Sequence, residues 1–249
     1  MNVFPHIQLD RVSSTNEFAA FLVSKTNPEE GTVISSVDQH DGRGQVGRNW
    51  HASPGQNITM SVILYPKHIE VHHQFDLNKI LSLGIVSALS HILPEEEFQI
   101  KWPNDIYIYH QKVAGLLVQI SSMGHSIRHA IFGIGINVHE KAFPSSLPNP
   151  VSLCSFSENI PGLKEVIHLV CTHLMDYYQL YHNGNHKLLD RNYQELLYKY
   201  NQKSIFSVPG GENFAGTIIG VDEIGKLMVE TSSGLRTFAM TEVKMEMDH

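Results

Sequence analysis

Four short segments of this chain bring together residues suited to handling anions and flat rings. The first is Gly42-Arg43-Gly44-Gln45-Val46-Gly47-Arg48-Asn49-Trp50. Its glycines free the backbone, and Arg43 and Arg48 offer paired donors for a carboxylate or phosphate. The GxGxxG spacing is not the dinucleotide-binding fingerprint, because a strand pattern rather than a helical run follows it. A loop folding over an anionic ligand and a merely flexible glycine loop are the two readings. The second segment is Lys101-Trp102-Pro103-Asn104-Asp105, which reads equally as part of a site or as a strand end entering an Asn-Asp turn. In the third, Lys112-Val113-Ala114-Gly115-Leu116-Leu117-Val118, a lysine opens an apolar strand. Strict alternation puts Lys112 on the face of Ala114 and Leu116, and Gly115 leaves room for close approach. Such a lysine neutralises a ligand's charge or simply snorkels to water. In the fourth, Gly133-Ile134-Gly135-Ile136-Asn137, two glycines two apart leave one sheet face bare. That face suits a flat ring beside the Asn137 amide, or marks a bulge.

The elements that must position these residues follow from periodicity. Ser14 with Glu17 forms a capping box, opening a helix through Phe18, Phe21, Leu22 and Lys25. Strands are expected at 32–37 and 57–64, with a glycine-rich loop over 38–56 between them. A helix is expected over 74–93, then strands over 98–102, 106–109, 113–120 and 127–138. Residues 144–161 read as loop, and two helices follow near 163–181 and 186–200. From Ser204 the pattern changes to short apolar stretches between Pro209-Gly210-Gly211, Gly225 and Ser233-Gly234, the signature of a small β-barrel too short to stand alone. The fold class is α+β: a mixed or antiparallel sheet covered by helices, with domains at 1–202 and 203–249.

Composition narrows the function classes. The chain is 42% hydrophobic and 17% charged, as expected for a globular protein with a substantial core. A net charge of −7 disfavours a nucleic-acid partner. No apolar run is long enough for a membrane span, and residues 1–10 lack a signal peptide's basic and apolar regions. Cys154 and Cys171, without CxxC spacing, suggest a reducing compartment, a cytoplasmic protein and two small buried thiols. There are 16 histidines. The i, i+4 pairs His68/His72, His125/His129 and His182/His186 lack the glutamate of HExxH, so scattered surface histidines are the better reading than a metal site.

Taken in order, Ser14-Thr15-Asn16, Gln39, the 42–50 loop, Lys101–Asp105, Lys112–Gln119 and Gly133–Asn137 resemble the biotin protein ligase family. The likeness runs through the first 140 residues, and the tail matches that family's small C-terminal SH3-like barrel. It implies a class II synthetase-like catalytic domain of the catalytic-only type, since no room precedes Ser14 for a DNA-binding domain. It implies ATP with Mg²⁺ on its phosphates, no tightly bound protein metal, biotin as substrate and a biotin carboxyl carrier protein as acceptor. The oligomeric state implied is monomer or homodimer. Ser14, Thr15, Asn16, Gln39, Gly42, Arg43, Gly44, Gln45, Lys112 and Gly115 would serve biotin. Arg48, Trp50, Lys101, Asn104, Gly133, Gly135 and Asn137 would serve the nucleotide. Lys112, Arg43 and Arg48 would be catalytic. Gln45 departs from the pattern, since many relatives carry arginine there. The runner-up is a lipoate or octanoate ligase or transferase, whose RRxSGGG signature is absent; a non-catalytic biotin sensor is the alternative of another class.

Overall fold

Alternation in the strands decides the architecture. The computed structural model describes residues 4–45 and 49–246. Its main sheet has seven strands: β1 (His6–Val12), β2 (Thr32–Gln39), β3 (Ile58–Leu64), β4 (Phe98–Lys101), β5 (Asp105–Ile108), β6 (Gln111–Met123) and β7 (Ser126–Ile136). They lie in the order β1-β2-β3-β7-β6-β5-β4. The β1–β2 pair is parallel, and every other pair in this sheet is antiparallel. The parallel edge strand β1 has no counterpart in the sequence reading, because its residues alternate between exposed and half-buried and carry little apolar signal.

From β3 across to β4, one sheet face is apolar. Ile58, Ile136, Ala114, Ile106 and Ile100 run across five strands in register, and the next row carries Met60, Ile134 and Leu116. All are buried. Helix α2 (Phe75–Ile92) packs between this face and α3 (Leu163–His182), so it is apolar on nearly every side. Gly84 makes the close helix crossing feasible, since a Cβ there would stand 2.7 Å from the Leu174 Cα. Lys79 of α2 is buried yet bonded to Asp76 at 2.8 Å and to Asp190 of α4 (His186–Glu195) at 2.6 Å. Burial alone would lower its pKa; the two aspartates outweigh that and raise it.

The opposite face carries α1 (Thr15–Lys25), whose start is capped by Ser14 accepting from the Glu17 amide at 3.5 Å. Ala19 packs there on Ile34, Ile63 and Ile131. The C-terminal strands β8 (Lys203–Ser207), β9 (Phe214–Val221), β10 (Leu227–Thr231), β11 (Gly234–Phe238) and β12 (Lys244–Met245) form a second sheet, ordered β11-β10-β9-β8-β12. Phe206, Phe214 and Phe238 stack at 5.5 and 5.6 Å, and this small core is continuous with the large one. Trp102 Nε1 donates to the Gly225 carbonyl at 2.9 Å, joining the two sheets.

Two expectations need correction. Helix α4 stops at Glu195 rather than reaching Tyr200, because residues 197–198 pair with Ile100 and Lys199 and Asn201 adopt positive φ. Cys154 is only half-buried, while burial pushes the Cys171 thiol up to about 12. The histidine pairs put no two imidazoles on one helix face: His68 and His72 lie outside the α-helices, His125 stands in the β6–β7 turn with His129 within β7, and His182 ends α3 where His186 begins α4.

Candidate functional site

The site grows from the second face of the same strands. Thr59, Gly135, Gly115, Asp105 and Lys101 stand in register across β3, β7, β6, β5 and β4. The next row holds Ile34, Ser61, Gly133 and Leu117. The three glycines therefore form a floor without side chains. Two groups use the space: a Cβ on Gly133 would come within 2.4 Å of Asn16 Oδ1, and one on Gly135 within 2.3 Å of the Trp50 ring. A Cβ on Gly115 would also meet that ring, at 2.8 Å.

A polar end lies at the start of α1. Ser61 is fully buried, with its Oγ 2.6 Å from Asn16 Oδ1 and 2.8 Å from Thr15 Oγ1. One hydroxyl carries one proton, so Ser61 donates to Asn16 and accepts from Thr15. Gln119 Oε1 accepts from Asn16 Nδ2 at 3.3 Å, and Gln39 Oε1 accepts from the Thr15 amide at 2.8 Å. Ser14 caps the helix beside them.

The charged end is Lys112. Its ammonium sits 2.7 Å from Asp105 Oδ1 and 5.6 Å from the Trp50 ring centre. Its Cε lies 3.4 Å from the Cβ position of Gly115. This corrects the alternation argument. Ile106 pairs with Ala114 but Tyr107 with Lys112, so Val113 is an extra residue on β6. The bulge turns Lys112 from the face of Ala114 and Leu116 onto that of Gly115. Lys101 lies on the same face, its Nζ 3.2 Å from Tyr107 Oη.

The glycine-rich segment is tied at both roots. His40 and Asp41 amides donate to Val12 and Ser13 carbonyls, and Arg43 bridges Asn49 as the Trp50 amide reaches the Gly42 carbonyl at 2.8 Å. Gly42 must lack a side chain, because a Cβ would stand 2.6 Å from the Trp50 carbonyl. Arg43 pairs with Glu17 at 2.7 Å. Gln45 Nε2 reaches Met240 Sδ at 3.6 Å, and Gly44 lies beside it. A cavity of ≈ 430 Å³ opens here, lined among others by Gln39, Gly42, Trp50, His51, Pro144 and Leu147.

Three residues expected to serve the nucleotide have protein contacts in the ligand-free chain. Trp50 covers the glycine floor, and its Nε1 is buried without a partner among the described residues. Asn104 spends its amide on the Leu116 carbonyl at 2.5 Å. Asn137 Nδ2 donates to the Val151 carbonyl at 3.0 Å, tying β7's exit to a neighbouring loop. Both amides hold backbone. Arg48 lies outside the described residues. Sequence reasoning passed over Ser61, Gln119 and Asp105 as site residues, yet each touches one. Ser61 had a signal, one of two hydroxyls, with Thr59, in an otherwise apolar strand. Among the described residues no cluster of three metal-type side chains occurs, and no helix is long and apolar enough to cross a membrane.

Known proteins share this arrangement. The model of the biotin/lipoate A/B protein ligase family matches residues 9–137. A bifunctional ligase/repressor BirA of Bacillus spizizenii is 30% identical over 250 residues, covering 96% of this chain and 73% of that protein. A biotin–[acetyl-CoA-carboxylase] ligase of Mycobacterium tuberculosis is 24% identical over 90% of this chain and 83% of its own length. The biotin protein ligase of Aquifex aeolicus, solved with biotin and ATP, superposes with a TM-score of 0.81 at 25% identity, covering 98% of this chain and 99% of that one.

Proposed function

We infer that this chain, which belongs to the biotin/lipoate A/B protein ligase family, is a biotin protein ligase. It is an ATP-dependent ligase: it activates biotin as biotinyl-5′-AMP and transfers the biotinyl group to a lysine of a biotin carboxyl carrier protein. The observation that carries this reading is the floor of Gly115, Gly133 and Gly135, with Lys112 at one end and Thr15, Asn16 and Gln39 at the other. The bicyclic head of biotin, with its flat ureido ring toward Asn16 and its carboxylate toward Lys112, would lie on this floor once the Trp50 ring moves aside.

The residue roles are our assignment. The biotin carboxylate oxygen attacks the α-phosphorus; the new P–O bond forms as the bond to pyrophosphate breaks. Two anions must meet, and the Lys112 ammonium, held by Asp105 at 2.7 Å, stands where it can neutralise them. Arg43 joins as the glycine loop closes, exchanging Glu17 for the ligand, and Lys101 faces the nucleotide side. The mixed anhydride is sensitive to water, and the closed loop shields it. The acceptor amine then attacks the carbonyl carbon, AMP departs with the bonding electrons, and the amine's proton leaves to solvent. Mg²⁺ would arrive on the ATP phosphates, where its hard, water-rich coordination suits phosphate oxygens. We assign residues 1–202 to the catalytic domain and 203–249 to the small domain, and the protein to the cytoplasm.

ATP–pyrophosphate exchange with biotin as the only acid tests the reading. Exchange with biotin and none with lipoate or octanoate is expected. Exchange with the latter alone would make it a lipoate-type enzyme, and none with any acid a binding module.

A further inference from the structure

Glu140 is a buried carboxylate that the chemistry above does not use, only 6% exposed. Burying such a group is unfavourable unless donors surround it. Its donors come from the returning root of the glycine-rich loop: the Ser53 amide at 3.1 Å and Asn57 Nδ2 at 2.8 Å, each on Oε2, with the Ser53 side chain also bonding the carboxylate. Asn57 closes the ring by accepting from the Val138 amide at 3.0 Å, and the His139 amide donates to the Gln56 carbonyl at 2.9 Å. Burial pulls the Glu140 pKa up, but these bonds and nearby His51 outweigh it and bring it down, so the group stays charged. Glu140 also lies three residues past Asn137, which ties β7's exit to the loop beyond Val151. One short segment thus fixes both the glycine floor and one root of the loop above it. Trp50, which covers Gly115 and Gly135, lies three residues before Ser53 on that root.

We propose that Glu140 is a positioning residue: it latches the returning root of the 38–56 loop to the end of β7, setting where the loop closes over the glycine floor and how long the adenylate stays enclosed. The second half rests on the ligase reading; the first does not. A charged acceptor shared by two donors is stronger than a neutral amide and is not replaced by one.

The test uses the full chain carrying Glu140→Gln or Glu140→Asp. Limited proteolysis without ligand reads the latch directly. Cleavage within residues 38–52 should quicken about ten-fold in Glu140→Gln, with cleavage elsewhere unchanged. The escape rate of adenylate preformed from biotin and ATP should rise by a similar factor, with initial pyrophosphate exchange at saturating substrates less affected. Glu140→Asp, which keeps the charge and shortens the reach, should fall between, and it carries the test if Glu140→Gln does not fold. Uniform acceleration of cleavage everywhere, or unchanged loop cleavage and unchanged escape, would overturn the latch. Native protein that forms no adenylate would overturn the ligase reading, while the ligand-free cleavage still decides the latch.

Discussion

The two faces of the main sheet are built from alternate residues of the same strands and have opposite constructions. Toward α2, Ile58, Met60, Ile134, Ile136, Ala114, Leu116 and Ile106 leave no space and no polar atom. Toward α1 and the loop, their neighbours are Thr59, Ser61, Gly133, Gly135, Gly115 and Asp105. We assign stability to the first set and recognition to the second, separated only by the pleat. The face that binds can lack side chains because the opposite face supplies the burial.

The largest effect expected from breaking this division is on rate. Lys112 is partly exposed at the edge of the floor, with its ammonium beside Asp105. Lys112→Ala should keep the fold and slow adenylate formation about a hundred-fold or more, the scale of losing a preorganised charge. Near-native single-turnover adenylation would remove Lys112 from the mechanism. The variant also leaves Asp105 without its ammonium, so Lys112→Ala/Asp105→Asn should be no slower than the single variant.

Adjacent residues sharpen the contrast. Ile134→Ala opens a cavity in the apolar face and should cost about 2–4 kcal/mol of stability. The surviving folded protein should bind biotin within about two-fold of the native chain, because the floor is untouched. Gly135→Ala should do the reverse: its Cβ would collide with the Trp50 ring, displacing whatever lies on the floor. Biotin affinity should fall about ten-fold, or 1.4 kcal/mol, with a smaller stability change. Calorimetric titration and thermal melts on both variants separate the outcomes; equal affinity losses would mean the two faces are not independent.

How much of this division was legible depended on whether a residue's neighbours were local. The helix cap at Ser14, the apolar strands and α2 follow from spacing within a few residues and stand where periodicity put them, although Glu17 turns its carboxylate to Ser13 and Arg43 rather than closing the capping box. The glycines of β6 and β7 were legible as a bare face. What lies on that face was not: Trp50 reaches Gly135 from 85 positions away in the chain. The bulge at Val113 was invisible because it depends on the register of β5 against β6, and it reversed the side on which Lys112 stands. The bonds of the Asn104 and Asn137 amides to backbone carbonyls were equally hidden, since a lone amide in a motif carries no sign of its partner. Strand β1 escaped because edge strands are half-polar.

A smaller effect concerns the loop that completes the binding face. It is anchored at both roots and bridged at Arg43 and Asn49. Protease should cut within 38–56 in the free chain, and saturating biotin plus ATP should slow that cutting about ten-fold. Equal rates in both states would show that ligands do not order it.

The smallest effect separates both faces from their rim. His6, His68, His129 and His173 all have lowered pKa values, in each case first because of burial. Like charges add to the lowering: Lys164 beside His6, His182 and His186 beside His68, Arg128 beside His129, and His91 beside His173. These groups sit at edges and helix seams rather than on the glycine floor; His6 bonds Ser35 Oγ at 2.8 Å, and His173 bonds Ser87 Oγ at 2.9 Å. Below the ordinary value of 6.5, the unfolded chain takes up protons that the folded chain holds off. Folding stability therefore rises with pH in that window, is fully present above 6.5, and is lost as pH falls through the lowered folded values. Glu140, also lowered, adds loss in the same direction at more acidic pH, beneath its ordinary 4.5. Melting at pH 7.0 and 5.5 should differ by roughly 2–5 °C, the acid sample being weaker. A flat or rising melting temperature would mean that these imidazoles are already solvated in the folded chain. Biotin affinity, measured where the protein is still folded, should change less than stability, since none of the four touches the glycine floor. A parallel fall in both would place the acid-sensitive step on the binding face instead.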